Sequence, residues 1–150
     1  MDVTATRVIA LPPQQVAEYA MDWRHDHEWT QGIKQAELTK LAMRDSEGDG
    51  FGVGAEVTRT AFFLGKRIDY VLRVREHRPP EVLDMTSVAG PIPMHVTYRF
   101  DPHPDGTLAS IRVRGDASGY YRVAGPLMSL MVRNNLRKDL RDLQRRLTRV

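Results

Sequence analysis

The chain has no cysteine among its 150 residues. This absence excludes disulfides, thiolate nucleophiles and cysteine-ligated zinc or iron–sulfur sites, and it is typical of a reducing compartment. No stretch approaches the roughly 18 consecutive apolar residues of a membrane span, and the first residues lack the basic and apolar segments of a signal peptide. We therefore expect a cytoplasmic protein with no integral membrane segment.

Motifs of common hydrolases and nucleotide-binding proteins are also missing. The sequence contains neither the G-x-S-x-G of α/β-hydrolases nor the H-E-x-x-H of zinc proteases. His25 and His27 are metal-ligand types, but two helical positions apart they point about 200° away from each other. The glycine-rich segment 48–54 precedes a predicted strand rather than the helix that a phosphate loop requires, so it indicates a hairpin loop. No metal site and no cofactor is predicted.

Positive charge is concentrated near the C-terminus. The whole chain has a net charge of +3, whereas residues 133–149, with seven basic and two acidic residues, have a net charge of +5. No aromatic residues interleave with these cations, so nucleic-acid binding is not indicated. A solvated helix face is the favoured interpretation, and a site for an anionic partner is the alternative. Five arginines four residues apart form this row: Arg133, Arg137, Arg141, Arg145 and Arg149.

The spacing of apolar residues and turn signals predicts an α+β fold in a single domain over residues 1–150. β-Branched and apolar residues predict a strand over 2–11, and Pro12-Pro13 ends it. Two short helices are predicted over about 13–21 and 23–30. Hairpin signals then separate six antiparallel strands, predicted over 33–43, 55–64, 67–76, 81–88, 94–100 and 107–117.

The last predicted element is a long helix that starts at Pro126, where proline's missing N–H is tolerated, and ends at Arg149. Its second half repeats leucine every three or four residues from Leu136 to Leu147, the pattern of a helix half buried on a core. Its first half, from Leu127 to Val132, has almost no polar face. We therefore predict that this first half is enclosed or lines a cavity against the apolar face of the sheet.

This order of elements resembles that of the START-like, helix-grip (SRPBCC) superfamily, which includes polyketide cyclase/dehydrase and lipid-transport proteins. The resemblance covers the whole chain. It implies a curved antiparallel sheet of about seven strands wrapped around the long C-terminal helix, with two short helices after the first strand. It also implies a deep cavity for an apolar or aromatic small molecule. The matching features are the strand-to-proline opening VIALPPQQV, Asp22, Trp29, Gly54, Pro79-Pro80, Asp139-Leu140, Leu143 and Leu147.

We predict that the chain binds a hydrophobic or aromatic small molecule, lipid-like or polyketide-like, between the sheet and the last helix. Some candidate contacts lie on the same face of a predicted strand as its apolar residues. The others lie in the short helices or in the apolar half of the last helix. Methionines among them favour a tolerant pocket, and plain core packing is the alternative for any one residue. The candidates are Trp29, Tyr70, Met85, Met94, Tyr98, Leu127, Met128, Met131 and Val132.

Catalysis in the same cavity, as a polyketide aromatase/cyclase or dehydrase, is the alternative function. Tyr70 or Tyr98 would donate a hydroxyl proton to a substrate carbonyl, with His95 or Arg59 as base or oxyanion partner. Strand parity argues against His95, because it alternates with the apolar set, and Arg59 lies on a strand with apolar residues of both parities. Binding and catalysis both stay open at this stage. So does the oligomeric state, with a homodimer as one alternative.

Overall fold

A computed structural model describes residues 1–30, 32–42, 49–63, 65–115 and 120–148, and for 63 and 120–126 only the backbone. Strands and helices follow one another in the predicted order, with a 3₁₀ turn over Trp23–His25 between the first two helices. The elements are β1 (Asp2–Ile9), α1 (Pro13–Ala20), α2 (Asp26–Trp29), β2 (Ile33–Lys40), β3 (Glu56–Phe63), β4 (Lys66–Arg78), β5 (Val82–Ala89), β6 (His95–His103), β7 (Gly106–Arg114) and α3 (Tyr120–Thr148).

The strands form one curved antiparallel sheet in the spatial order β1-β7-β6-β5-β4-β3-β2. Strands β2 to β7 follow one another as sequence neighbours, whereas β1 pairs with β7, with Val3 opposite Val113. The helices α1 and α2 carry the chain from β1 at one edge to β2 at the other. This arrangement confirms the predicted α+β, helix-grip architecture.

One face of the sheet and the second half of α3 form the hydrophobic core. In β6, Val96, Tyr98 and Phe100 are buried whereas the residues between them are more exposed, as a strand with one buried face requires. The predicted leucine stripe joins the same core: Leu136, Leu140 and Leu143 are buried in it, and Leu147 packs against it partly buried. The first half of α3 lies opposite residues of β2, β3, β4 and β7.

The long helix begins earlier than predicted. It spans Tyr120–Thr148, so the predicted start at Pro126 is wrong and Gly125-Pro126 lies inside the helix. Proline removes one N–H bond and crowds the carbonyl four residues before it, a local penalty that the hydrogen bonds of a 29-residue helix outweigh. In the described ranges, no helix is long and apolar enough to span a membrane.

Some predictions extend beyond the described residues. These residues are the ends of three predicted strands, at Met43, Leu64 and Ala117, the first glycine of the hairpin loop, Gly48, and the last arginine of the row, Arg149, which is also the predicted end of the long helix. The described part of the loop leads into β3, so a strand follows the glycines, as predicted.

Candidate functional site

A cleft of about 450 Å³ lies between the first half of α3 and the sheet. Its sheet side comes from β2, β3, β4 and β7, and the segment before β6 adds Ile92 and Met94. The side chains on its walls are mostly apolar. They include Ile68 of β4 and Val113 of β7, two strands that β5 and β6 separate in the sheet. This volume lies in the range of about 300–1,000 Å³ that small-molecule sites occupy.

One face of α3 forms the other wall of the cleft. Met128, Met131, Val132 and Asn135 line it, at spacings of three, one and three residues that keep them on one side of a helix. Leu127 is 66% exposed and does not line the cleft, because each helical residue turns about 100° from its neighbour and the sheet covers only one side. The apolar segment thus divides into a wall of the cleft and an exposed strip.

The structure brings five of the nine predicted contacts to the cleft: Tyr70, Met94, Met128, Met131 and Val132. Trp29, Met85 and Tyr98 do not reach it. They are buried deeper, where the rings of Trp29 and Tyr98 pack with centroids 5.6 Å apart. Strand parity assigns a residue to the inner face, but its position along the strand decides whether it meets the cleft or the packed core.

A buried ion pair, whose two residues do not line the cleft, joins α2 to the sheet. Both the Nε and Nη2 atoms of Arg59 contact Oδ2 of Asp26, at 3.0 and 2.9 Å, and Nη2 also donates to the Tyr98 hydroxyl at 3.1 Å. All three residues are at most 4% exposed. The void that they share with Met85 measures only about 10 Å³, room for at most one water molecule. A substrate cannot reach Arg59 or Tyr98 in this arrangement.

Burial controls the electrostatics of this ion pair. Burial raises the pKa of Tyr98 to about 12, and it raises the pKa of Asp26, a rise that Arg59 partly offsets. For Arg59, burial disfavours the charge, but Asp26, Tyr98 and Tyr70 more than compensate and hold its pKa well above the usual value. Tyr70, which lines the cleft, is the register partner of Arg59 on the neighbouring strand.

His95 lies outside the cleft, on the opposite face of the sheet from Tyr98. Its Nε2 is 2.6 Å from Oδ1 of Asp84, and Arg114 donates from Nη2 to its Nδ1 at 2.8 Å. Because Arg114 donates to Nδ1, the proton of the neutral imidazole is on Nε2 and is donated to Asp84. This hydrogen-bonded chain holds His95 away from the other candidate catalytic residues.

The sequence analysis missed most of the cleft lining. Asn135 follows Met128 by seven residues, so helical spacing could have identified it, and Ile68 shares strand parity with Tyr70. Thr30 ends α2 and gives no sequence signal of its own. The full lining also includes Met1, Gly32, Ile33, Ala61, Phe62, Ile92, Val113 and Leu136.

The arginine row follows the outer side of α3. Arg133, Arg137, Arg141 and Arg145 are exposed, and none of them lines the cleft. Arg145 approaches Oδ1 of Asp142 at 3.9 Å, the distance of a weak surface ion pair. These positions fit the favoured interpretation of a solvated helix face.

Comparison with known proteins places the chain in a family. A sequence profile described as polyketide cyclase / dehydrase and lipid transport matches residues 1–149. No curated protein matches the chain significantly.

Among solved structures, TTHA0849 from Thermus thermophilus is 18% identical with a TM-score of 0.79, covering 98% of this chain and 97% of its own. A START superfamily protein from Mycobacterium smegmatis is 15% identical with a TM-score of 0.79, and the coverages are 97% and 96%. The Zhui aromatase/cyclase from Streptomyces sp. R1128 is 17% identical with a TM-score of 0.74, and the coverages are 99% and 94%. At these identities the structures show a shared fold. Because the family profile extends over nearly the whole sequence, the chain belongs to the polyketide cyclase/dehydrase and lipid-transport family.

Proposed function

We propose that this protein binds a hydrophobic or aromatic small molecule in the cleft between α3 and the sheet. The observation that carries the proposal is the cleft itself, about 450 Å³ in volume with predominantly apolar walls. Apolar surface left in contact with water costs about 25 cal/mol per Å², and a ligand that covers these walls recovers that free energy.

The shape of the walls supports a tolerant site. Met94, Met128 and Met131 line the cleft, and unbranched methionine side chains adapt to ligands of different outline. Membership in a family described by polyketide chemistry and lipid transport supports a lipid-like or polyketide-like ligand.

Fluorescence titration with N-phenyl-1-naphthylamine, a neutral apolar probe, tests the proposal. Met131→Trp places an indole in the cleft and should abolish probe binding. Leu130→Trp is the matched control, because Leu130 is on the same helix turn but 54% exposed and outside the cleft. If wild-type protein does not bind the probe, or if both variants bind it as well as wild type, the cleft is not the binding site.

Catalysis on a polyketide is the second candidate, and one observation favours it. Tyr70 lines the cleft and has the charged Arg59 as its register partner on β3, an arrangement that could stabilise an oxyanion forming on a bound carbonyl. The similarity to an aromatase/cyclase fold supports the same possibility. The products formed from a poly-β-ketone thioester test it.

Tyr70→Phe should change the products of this assay, whereas Tyr98→Phe, which removes a hydroxyl outside the cleft, should not. An unchanged product distribution with Tyr70→Phe would argue for binding alone.

A further inference from the structure

The outward side of α3 combines basic and apolar residues. A helix turns about 100° per residue, and every residue from 127 to 148 that falls within one arc of about 100° on this side is exposed. In this described part of the helix, the arc holds two leucines, four cations and two neutral polar residues, and it holds no aspartate or glutamate. We call it the basic-apolar face, and it consists of Leu127, Leu130, Asn134, Arg137, Lys138, Arg141, Arg145 and Thr148.

The basic-apolar face lies opposite the buried side of the helix. The buried residues of the same range fall in an arc whose centre is about 170° away. Arginines that border a core cover apolar surface with their stems, which gives them a structural role without a partner. Stems that point directly away from the core have no such surface to cover. The buried residues are Met128, Leu136, Asp139, Leu140 and Leu143.

The apolar end of this face lies next to the cleft. Leu127 is 66% and Leu130 is 54% exposed, and side chains three positions apart on a helix are neighbours. Met131, about one turn after Leu127, lines the cleft, and so does Phe62 of β3, which is 46% exposed. Single exposed leucines are common on protein surfaces, but neighbouring ones form an apolar patch of the kind that marks contact with a protein or a membrane.

Most of the positive charge on the face is not compensated. Arg137, Lys138 and Arg141 have no ion-pair partner among the described residues. Arg145 approaches Asp142 at 3.9 Å, which offsets part of its charge. The uncompensated cations begin about 10 Å along the helix axis from the leucines. A partner that covers this face must therefore be anionic and must also accept apolar side chains.

We propose that the basic-apolar face docks the protein on a lipid bilayer that contains anionic phospholipids. Leu127 and Leu130 enter the boundary between headgroups and acyl chains. The cations from Arg137 to Arg141 contact lipid phosphates. Helices that lie in this boundary combine the same two features, and each lysine or arginine near an anionic membrane surface strengthens binding about fivefold.

Other partners fit the face less well. In a twofold dimer through this face, the cations of one copy would meet those of the other and repel them. Single-stranded nucleic acid stacks on aromatic side chains, and the face has none. Docking goes beyond the proposed function and does not depend on it. A docked α3 brings the cleft next to a phase in which apolar molecules dissolve.

Vesicle co-sedimentation tests the docking. The protein is mixed with vesicles of phosphatidylcholine alone, or of phosphatidylcholine and phosphatidylglycerol in equal parts. We expect binding only to the anionic vesicles at about 0.1 M salt, and its loss at about 1 M salt, because the Debye length falls from about 10 Å to about 3 Å.

Replacing two arginines measures the role of charge. Arg137→Gln with Arg141→Gln should weaken binding to the anionic vesicles about 25-fold, because each removed cation is worth about fivefold. Arg99→Gln with Arg112→Gln is the matched control and should leave binding nearly unchanged. Both of these arginines are exposed on the face of the sheet opposite the core, and the change in net charge is the same.

Replacing the leucines measures the role of apolar contact. Leu127→Ser with Leu130→Ser should weaken binding at least about tenfold, because the apolar area that enters the bilayer is lost. Leu41→Ser is the control and should have no effect, because Leu41 is 67% exposed and lies outside α3. Circular dichroism of each variant should match that of wild type, because every substituted residue is exposed.

A fluorescent label locates the contact. Because the chain has no cysteine, Leu130→Cys and Leu41→Cys each provide one attachment site for a nitrobenzoxadiazole dye, whose emission increases in an apolar environment. Anionic vesicles should increase the emission of the dye at position 130 and leave that at position 41 unchanged.

Four results would overturn the proposal. They are no binding to anionic vesicles at about 0.1 M salt, equal weakening by the Arg99 and Arg112 control pair, unchanged emission at position 130, and salt-sensitive binding that the leucine substitutions do not weaken. The last result would indicate an acidic macromolecule as the partner. Probe binding without vesicles tests the proposed function, so either hypothesis can fail while the other stands.

Discussion

Replacing Arg59 by methionine should destabilise the protein by about 3–5 kcal/mol. The change removes two contacts to Asp26, at 2.9 and 3.0 Å, and one to the Tyr98 hydroxyl, at 3.1 Å. Methionine keeps much of the arginine's length, so the loss arises mainly from the buried carboxylate that remains without a cation. Urea unfolding followed by circular dichroism measures the free energy of unfolding.

The pH dependence of this variant gives a second readout. Burial already raises the pKa of Asp26, and removing Arg59 takes away the group that partly offsets the rise. The folded variant then holds a proton that the unfolded chain releases, so its stability relative to wild type should increase as the pH falls from 7 towards 4.

Removing both charges, with Arg59→Met and Asp26→Asn together, should cost less than the sum of the two single changes. The reasoning is refuted if Arg59→Met costs less than about 1 kcal/mol, or if the two substitutions are additive, because either result would mean that Asp26 is not a desolvated partner of Arg59.

Three further predictions concern stability. Tyr98→Phe should remove a loss of stability that wild type shows between pH 10 and 12, worth up to about 3 kcal/mol, because the pKa of Tyr98 is about 12 folded against 10.0 unfolded. Urea unfolding across that range checks it, and equal pH slopes in the two proteins would contradict it. Leu143→Ala, in the core, should cost about 2–5 kcal/mol in urea unfolding, whereas Leu130→Ala, exposed on the same helix, should cost less than about 0.5 kcal/mol. Gly106→Ala should cost at least about 2 kcal/mol in the same assay, because the residue has φ 132° and a Cβ would lie 2.3 Å from the Ile9 carbonyl oxygen; wild-type stability would show that the turn relaxes freely.

Much of the fold could be predicted from local pattern. Alternation in β6 identified the buried set that includes Tyr98 and Phe100, and the leucine spacing from Leu136 to Leu147 identified the buried side of α3. The helix start was less predictable. Gly125-Pro126 resembles a start signal, but the tertiary fold tolerates it inside the helix.

The site was only partly predictable. Alternation along a strand shows which face of the sheet a side chain is on, but it does not show whether the side chain meets the cleft or the packed core. Tyr70 and Tyr98 both lie on the inner face of the sheet, yet one lines the cleft and the other packs on Trp29 in the core. Arg59 had ambiguous parity, and its burial became interpretable only when Asp26 of α2 was found against it.

The sequence alone determined the order of the elements, the inner faces of the strands and the leucine stripe of α3, because hydrophobic periodicity is a local property of the chain. Only the tertiary structure decided which apolar residues line a cleft and which fill the core. That distinction depends on where α3 crosses the curved sheet, and therefore on contacts between residues far apart in sequence. Thr30 and Asn135 are the clearest case: nothing near them in the sequence marks them as neighbours, and the packing of α2, α3 and the sheet brings both to the same cleft.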